Sequence, residues 1–176
     1  MKTIVVYKSK YGATKEYAQW IGKELDCQVT DAKLVSVEDL LTYDTIIYGG
    51  GLYAEVIDGV RLITKNFDRL KEKNLIVFST GITPLDCSEY YDKMVVEKNF
   101  KPEMRTSIKT FYFLGKMILS ELSVVHRTAI KALKKLMASK ENPTEMEKLL
   151  VDLCDADGDF TDRNAIHPLV EYVKAL

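Results

Sequence analysis

Apolar residues along the chain alternate between two rhythms. Thr3-Ile4-Val5-Val6-Tyr7 is a short β-branched run of the kind that forms a buried strand. Thr14–Leu25 follows it with Tyr17, Ala18, Ile21 and Leu25 at helical spacing. Gln28–Leu34 is a weak, polar strand candidate suited to a sheet edge, and Ser36–Leu41 predicts a short capped helix with acids in its first turn. Asp44–Tyr48 predicts the next buried strand and Gly59–Leu70 a helix with Val60, Ile63, Phe67 and Leu70 on one face. Leu75–Ser79 predicts a fourth strand, Ser88–Asn99 a helix that leads to Pro102, and Ser107–Leu114 a fifth strand. Continuously apolar strands alternating with helices imply an α/β three-layer sandwich, a parallel sheet covered on both faces with right-handed crossovers. Five strands in this rhythm fit the order 2-1-3-4-5, with a ligand crevice at the carboxyl ends of the first and third strands.

The turn after the first strand reads Ser9-Lys10-Tyr11-Gly12-Ala13-Thr14. A strand, a turn with hydroxyls and a glycine, then a helix start is the geometry of an anion site. Amides at a helix N-terminus point outward unpaired and the macrodipole favours negative charge there. Ser9 and Thr14 add hydroxyls, and Gly12 allows close approach of the backbone. An ordinary turn with Thr14 as N-cap is the simpler alternative for this stretch alone. It has neither the Walker A spacing nor the three glycines of the dinucleotide fingerprint. Lys8 and Lys10 flank the loop, as phosphate contacts or as solvated lysines.

What the stretch resembles is the phosphate loop of flavodoxins, in which a small hydroxyl residue, Gly and Thr follow the first strand. Ser9, Gly12 and Thr14 are the matching positions, and the resemblance implies that Ser9–Thr14 holds the 5′-phosphate of FMN. It extends to Gly49-Gly50-Gly51-Leu52-Tyr53-Ala54, where flavodoxins carry the loop against the isoalloxazine ring, and to Ser79-Thr80-Gly81, which closes the pocket after the fourth strand. Three glycines provide a backbone able to lie against a planar ligand, and Tyr53 offers an aromatic face. The simpler alternative is that the glycine run makes a tight turn and Tyr53 is core. A peptide flip in the second loop, presenting a carbonyl to N5 of the reduced flavin, is implied by the resemblance only. The expected fold is thus flavodoxin-like.

At 176 residues, 47% apolar and 29% charged, the chain is expected to be one domain, 1–176, with a helical insertion over 116–160. The formal net charge of −1 gives no field for nucleic acid, and it departs from the strongly acidic balance of dedicated flavodoxin shuttles. Cys27, Cys87 and Cys154 form no C-x-x-C pair and are expected to be reduced. A first strand starting at residue 3 leaves no room for a signal peptide, and no apolar run has the length of a membrane span, so a cytoplasmic location is expected. His126 and His167 stand apart without a metal or triad pattern. Asp155-Ala-Asp157-Gly-Asp159 has Phe160 and Ile166 where a calcium loop needs Gly and Glu, and it is expected to be an acidic turn before a last helix, Asn164–Ala175, capped by Thr161 or Asp162.

Within the insertion, 116–139 predicts a long helix on which Ile118, Leu122, Val125, Ala129, Leu133 and Leu136 form one stripe, and Pro143–Leu153 predicts a second. Arg127, Lys131, Lys134 and Lys135 lie opposite the stripe. From Lys116 to Lys140 there are six Lys/Arg against one Glu, and five aspartates follow between Asp152 and Asp162. The stripe either packs on its own domain with the lysines in water, or the helix docks peripherally on an anionic membrane surface or an acidic partner. An insertion here resembles that of menaquinone-dependent protoporphyrinogen dehydrogenases, FMN enzymes that associate with membranes.

The resulting expectation is an FMN-binding redox protein that exchanges electrons with a redox protein or a quinone- or porphyrin-like small molecule. A protoporphyrinogen dehydrogenase-type oxidoreductase and a flavin-free regulatory module on the same fold are the alternatives. No catalytic residue is singled out and no metal is expected.

Overall fold

The structure is a computed structural model that describes residues 1–176. Its first elements follow the apolar rhythm closely. The β-branched run becomes β1 (Thr3–Lys8), and the next amphipathic stretch becomes α1 (Ala13–Glu24), which buries Tyr17, Ala18 and Ile21. The polar strand is β2 (Gln28–Asp31), at an edge as expected and paired only with β1. Ser36 caps α2 (Val37–Leu40) through a reciprocal capping box with Asp39.

The third strand corrects the expectation. It runs from Thr45 to Tyr53 as β3, so Gly49, Gly50 and Gly51 are strand residues rather than a loop. The cause is packing: a Cβ on Gly49 would stand 2.1 Å from the Phe78 ring, and one on Gly50 would stand 2.5 Å from the Asp58 carbonyl oxygen. The chain then turns back in a short hairpin as β4 (Val56–Ile57), antiparallel to β3. Ala54 and Glu55 at its tip have φ of 47° and 61°, a left-handed conformation unusual for residues with side chains.

The helix expected over 59–70 is two short pieces, α3 (Arg61–Thr64) and α4 (Phe67–Leu70). They meet at Asn66, whose side-chain amide donates to the Leu62 carbonyl at 2.8 Å. β5 (Asn74–Gly81) follows. The next helix is wound wide over Tyr90–Val95, where Tyr90, Tyr91 and Val95 are buried, and only α5 (Val96–Asn99) is α-helical. Pro102 opens α6 (Pro102–Arg105), and β6 (Ile108–Leu114) completes the parallel sheet. The sheet order is β2-β1-β3-β5-β6, with β4 attached to β3. With β5 and β6 as the fourth and fifth strands of the rhythm, this is the expected 2-1-3-4-5 order.

The chain divides into two compact units, Met1–Gly115 with Thr161–Leu176, and Lys116–Phe160. In the first, Val5, Ile47, Ile76, Phe78 and Phe113 of the sheet pack against Tyr17 and Ile21 of α1 and against Leu169, Val170 and Val173. Asp162, not Thr161, caps the closing 3-10 turn of Arg163–Ile166, accepting from the Asn164 amide at 2.9 Å. Tyr17 ties this unit together at its chain crossing. Its hydroxyl donates to the Leu114 carbonyl at 2.8 Å and accepts from the Asp162 amide at 2.9 Å, and its ring stacks on Phe113 at 4.7 Å.

The second unit begins with β7 (Lys116–Met117) and then α7 (Val124–Ala138) and α8 (Glu145–Leu153), and ends with β8 (Gly158–Asp159), antiparallel to β7. The first unit closes with α9 (His167–Lys174). The helix expected from Lys116 thus starts later, because Ser123 caps it by accepting from the His126 amide. Ile118 and Leu122 precede it. The expected stripe is largely in solvent: Val125 is 74% exposed and Leu136 59%, while His126, Ile130, Lys134 and Met137 form the half-buried row. Pro143 lies outside α8, whose cap is Thr144 in a reciprocal box with Glu147. The aspartate run serves as anchors. Asp157 accepts from the Leu119 amide at 2.9 Å, Asp155 pairs with Lys134 at 2.6 Å, and Asp159 pairs with Lys116 at 2.8 Å. No helix is long and apolar enough to cross a membrane.

Candidate functional site

Parallel strands end together, and the carboxyl ends of β1, β3 and β5 lie side by side: Lys8 beside Gly50, Gly50 beside Ser79, and Gly51 beside Thr80. From Lys8 the chain turns through Ser9–Gly12 into α1. The Gly12 amide donates to Ser9 Oγ at 3.1 Å, closing the loop on its own hydroxyl. Gly12, not Thr14, is the N-cap, with φ 94° and ψ −35° and no side-chain cap on the helix. That conformation belongs to glycine. The first intrahelical bond runs from the Glu16 amide to the Gly12 carbonyl at 3.0 Å, so the amides of Ala13, Thr14 and Lys15 face out of a twelve-residue helix with its dipole behind them.

Thr14 is buried in the first turn, and its hydroxyl shares a 2.7 Å hydrogen bond with that of Thr80 at the end of β5. Two hydroxyls that share one bond retain a second O–H to donate. This contact joins the first and third of the sequence-predicted stretches. Ser79 behaves differently. Adjacent strand residues point to opposite faces, so Ser79 turns away from Thr80, and its buried Oγ has no hydrogen-bond partner. Gly81 borders Leu52, whose Cβ would lie 3.4 Å from a Cβ on that glycine, and its carbonyl accepts from the Gly115 amide at 2.7 Å.

Tyr53 folds back over its own strand, its ring atoms 3.0–3.2 Å from where a Cβ on Gly51 would stand. Burial first, then Tyr11 and Asp58, push its phenol up to about 12, so it stays a neutral hydroxyl near pH 7. Lys8 does not point free into the loop: its Nζ pairs with Asp58 at 2.7 Å. Lys10 lies over the Tyr11 ring, 5.5 Å from its centroid. Ala54, at the hairpin tip, is exposed.

Sequence reasoning missed the residues that brace this hairpin. Lys98 donates to the Ala54 carbonyl and pairs with Glu55, both at 2.8 Å. Asn99 accepts from the Ile57 amide at 2.9 Å and donates to the Glu55 carbonyl at 2.6 Å. Gly59, expected as the first residue of a helix, instead lies before α3 at φ 74°, where a Cβ would stand 2.2 Å from the Tyr48 hydroxyl. Nothing in local spacing signals these contacts, which join residues far apart in the chain.

Among solved structures, the chain is similar to a flavodoxin from the domain Archaea, at 17% identity over 99% of both chains with a TM-score of 0.48. It is also similar to flavodoxin 2 from Bacillus cereus, at 22% identity over 64% of this chain and 84% of that one, TM-score 0.41. A third is the Trp repressor binding protein from Bacillus subtilis, at 14% identity over 65% and 86%, TM-score 0.46. No curated protein matches. A family model described as a flavodoxin domain matches residues 4–145, well over half of the chain. With that match and the sheet order above, the chain belongs to the flavodoxin-domain family and has the flavodoxin-like α/β fold.

Proposed function

We propose that the protein binds FMN across the carboxyl ends of β1, β3 and β5 and exchanges the cofactor's electrons with a separate redox partner. The supporting observation is one convergence. The uncapped α1 N-terminus, Gly12 in a conformation open to close approach, and the Thr14–Thr80 hydroxyl pair meet at the carboxyl end of the sheet. The pattern fits a phosphate: outward amides and hydroxyl donors with no carboxylate in the loop. When bound, FMN supplies the electron chemistry. Ser9–Thr14 would hold its phosphate. Gly50, Gly51 and Leu52 would lie along the ring system with Tyr53 beside it, and Thr80 and Gly81 would form the third wall. The chain orients and binds here; Tyr53 is neutral near pH 7 and would act as an aromatic face beside the ring, not as a proton carrier.

The test is the visible spectrum and FMN content of purified protein, followed by anaerobic reoxidation of the reduced form with cytochrome c and with menadione. The reading expects one FMN per chain and rapid oxidation by cytochrome c. A folded protein that takes up no FMN contradicts the cofactor assignment, and oxidation by the quinone alone contradicts the protein-partner assignment.

A further inference from the structure

The Lys116–Phe160 unit holds a cavity of its own, about 490 Å³, between α7 and the segments that flank it. Its size lies within the range of small-molecule pockets, roughly 300–1,000 Å³. Leu119, Leu122, Ile130 and the buried Cys154 give it an apolar floor. Burial and Asp155 hold the Cys154 thiol above its ordinary value, in the neutral form. At the mouth stand Arg127, Lys131, Lys134 and Asp155. These charges do not cancel. Both Asp155 oxygens are taken by Lys134, at 2.6 and 2.5 Å, while Arg127 and Lys131, one turn apart on α7, form no ion pair. Two unmatched cations above an apolar floor select by charge at one end and by burial at the other.

We infer that this cavity is a binding site for a small amphipathic anion, with an apolar body against Leu122 and Ile130 and a carboxylate or phosphate head between Arg127 and Lys131. Cys154 serves as lining and as a reporter. The inference stands on the second unit alone and is independent of the flavin reading.

The experiment uses the full chain carrying Cys27→Ser and Cys87→Ser, so that Cys154 is the remaining thiol, with FMN content recorded in parallel. Decanoate, decanol and decyltrimethylammonium are titrated by calorimetry, and the rate of Cys154 alkylation by iodoacetamide is followed with each. Decanoate is expected to bind at least tenfold tighter than the other two and to slow alkylation at least fivefold. Arg127→Glu with Lys131→Glu should weaken decanoate binding at least tenfold, whereas the same charge change at exposed Lys65 and Lys71 should leave it unaltered. Ile130→Trp, which fills the floor and keeps the charges, should abolish protection. No decanoate binding, equal binding of the three probes, or equal binding by the charge-reversed variant overturns the inference. So does binding to sealed anionic vesicles without binding of monomeric decanoate, which would assign the cations to a membrane surface.

Discussion

Gly12 holds φ at 94° with nothing within 4 Å of the place a Cβ would occupy, so a side chain there is opposed by the backbone and not by crowding. Left-handed conformations cost other residues roughly 1–2 kcal/mol each. Gly12→Val is therefore expected to fold, to shift the first turn of α1, and to raise the FMN dissociation constant at least about tenfold, roughly 1.4 kcal/mol. Calorimetry on the folded variant checks this; unchanged affinity places the phosphate elsewhere. Ser79 is the converse case. A buried hydroxyl without a partner costs roughly 1–3 kcal/mol, and the Ser79 side chain points away from the Thr80 face. Ser79→Ala is expected to raise urea stability by about 1 kcal/mol and to leave FMN affinity unchanged. A fall in affinity would return Ser79 to the site.

Cys27 adds a pH dependence. Burial, with Asp26 second, raises its thiol from 9.0 to about 11, so the fold favours the neutral form. Its contribution is complete below pH 9 and is lost as pH rises towards 11, because the unfolded chain ionises first. Unfolding free energy should decline over that interval, and the Cys27→Ala variant should lack that part of the decline.

At the scale of elements, the β3–β4 hairpin carries the second wall of the site, and its left-handed tip is held from outside. Asn99 supplies the bracing, taking the amide of the buried Ile57 and holding the Glu55 carbonyl. Asn99→Ala leaves both groups unpaired and should lower stability by roughly 1–3 kcal/mol. Exchange of the Ile57 amide should accelerate more than that of the β1 amides; uniform acceleration would mean general destabilisation instead.

The same hairpin marks where sequence reading stops. β1, α1 and β6 were legible because their apolar periodicity is local. The place of Gly49–Gly51 was not, since glycine disfavours strands and the reason for it, the Phe78 ring across the sheet, is a non-local contact. Asn99 bonds a residue forty-two positions away. Helical spacing also ran past the true start of α7, because Ile118 and Leu122 fit the period while Ser123 supplies the cap. Of the expected site, the Ser9–Thr14 loop was legible as a strand–turn–helix pattern, and Thr80 only through the resemblance of Ser79-Thr80-Gly81 to a flavodoxin loop; the Thr14–Thr80 contact, the direction of Ser79, the Lys8–Asp58 pair and the Lys98 brace depend on tertiary placement.

For the molecule as a whole, a parallel sheet buried on both faces leaves its strand ends as the place where backbone amides and carbonyls are available to a ligand. The central claim is that FMN occupies the ends of β1, β3 and β5. The most direct measurement is an amide proton–nitrogen correlation spectrum during FMN titration. The account predicts saturable shifts at a one-to-one ratio, largest at Gly12, Ala13, Thr14, Gly51, Tyr53, Thr80 and Gly81, with the Gly12→Val spectrum requiring at least about tenfold more FMN for the same change. Shifts confined to other residues, or none in the folded protein at millimolar FMN, would contradict it.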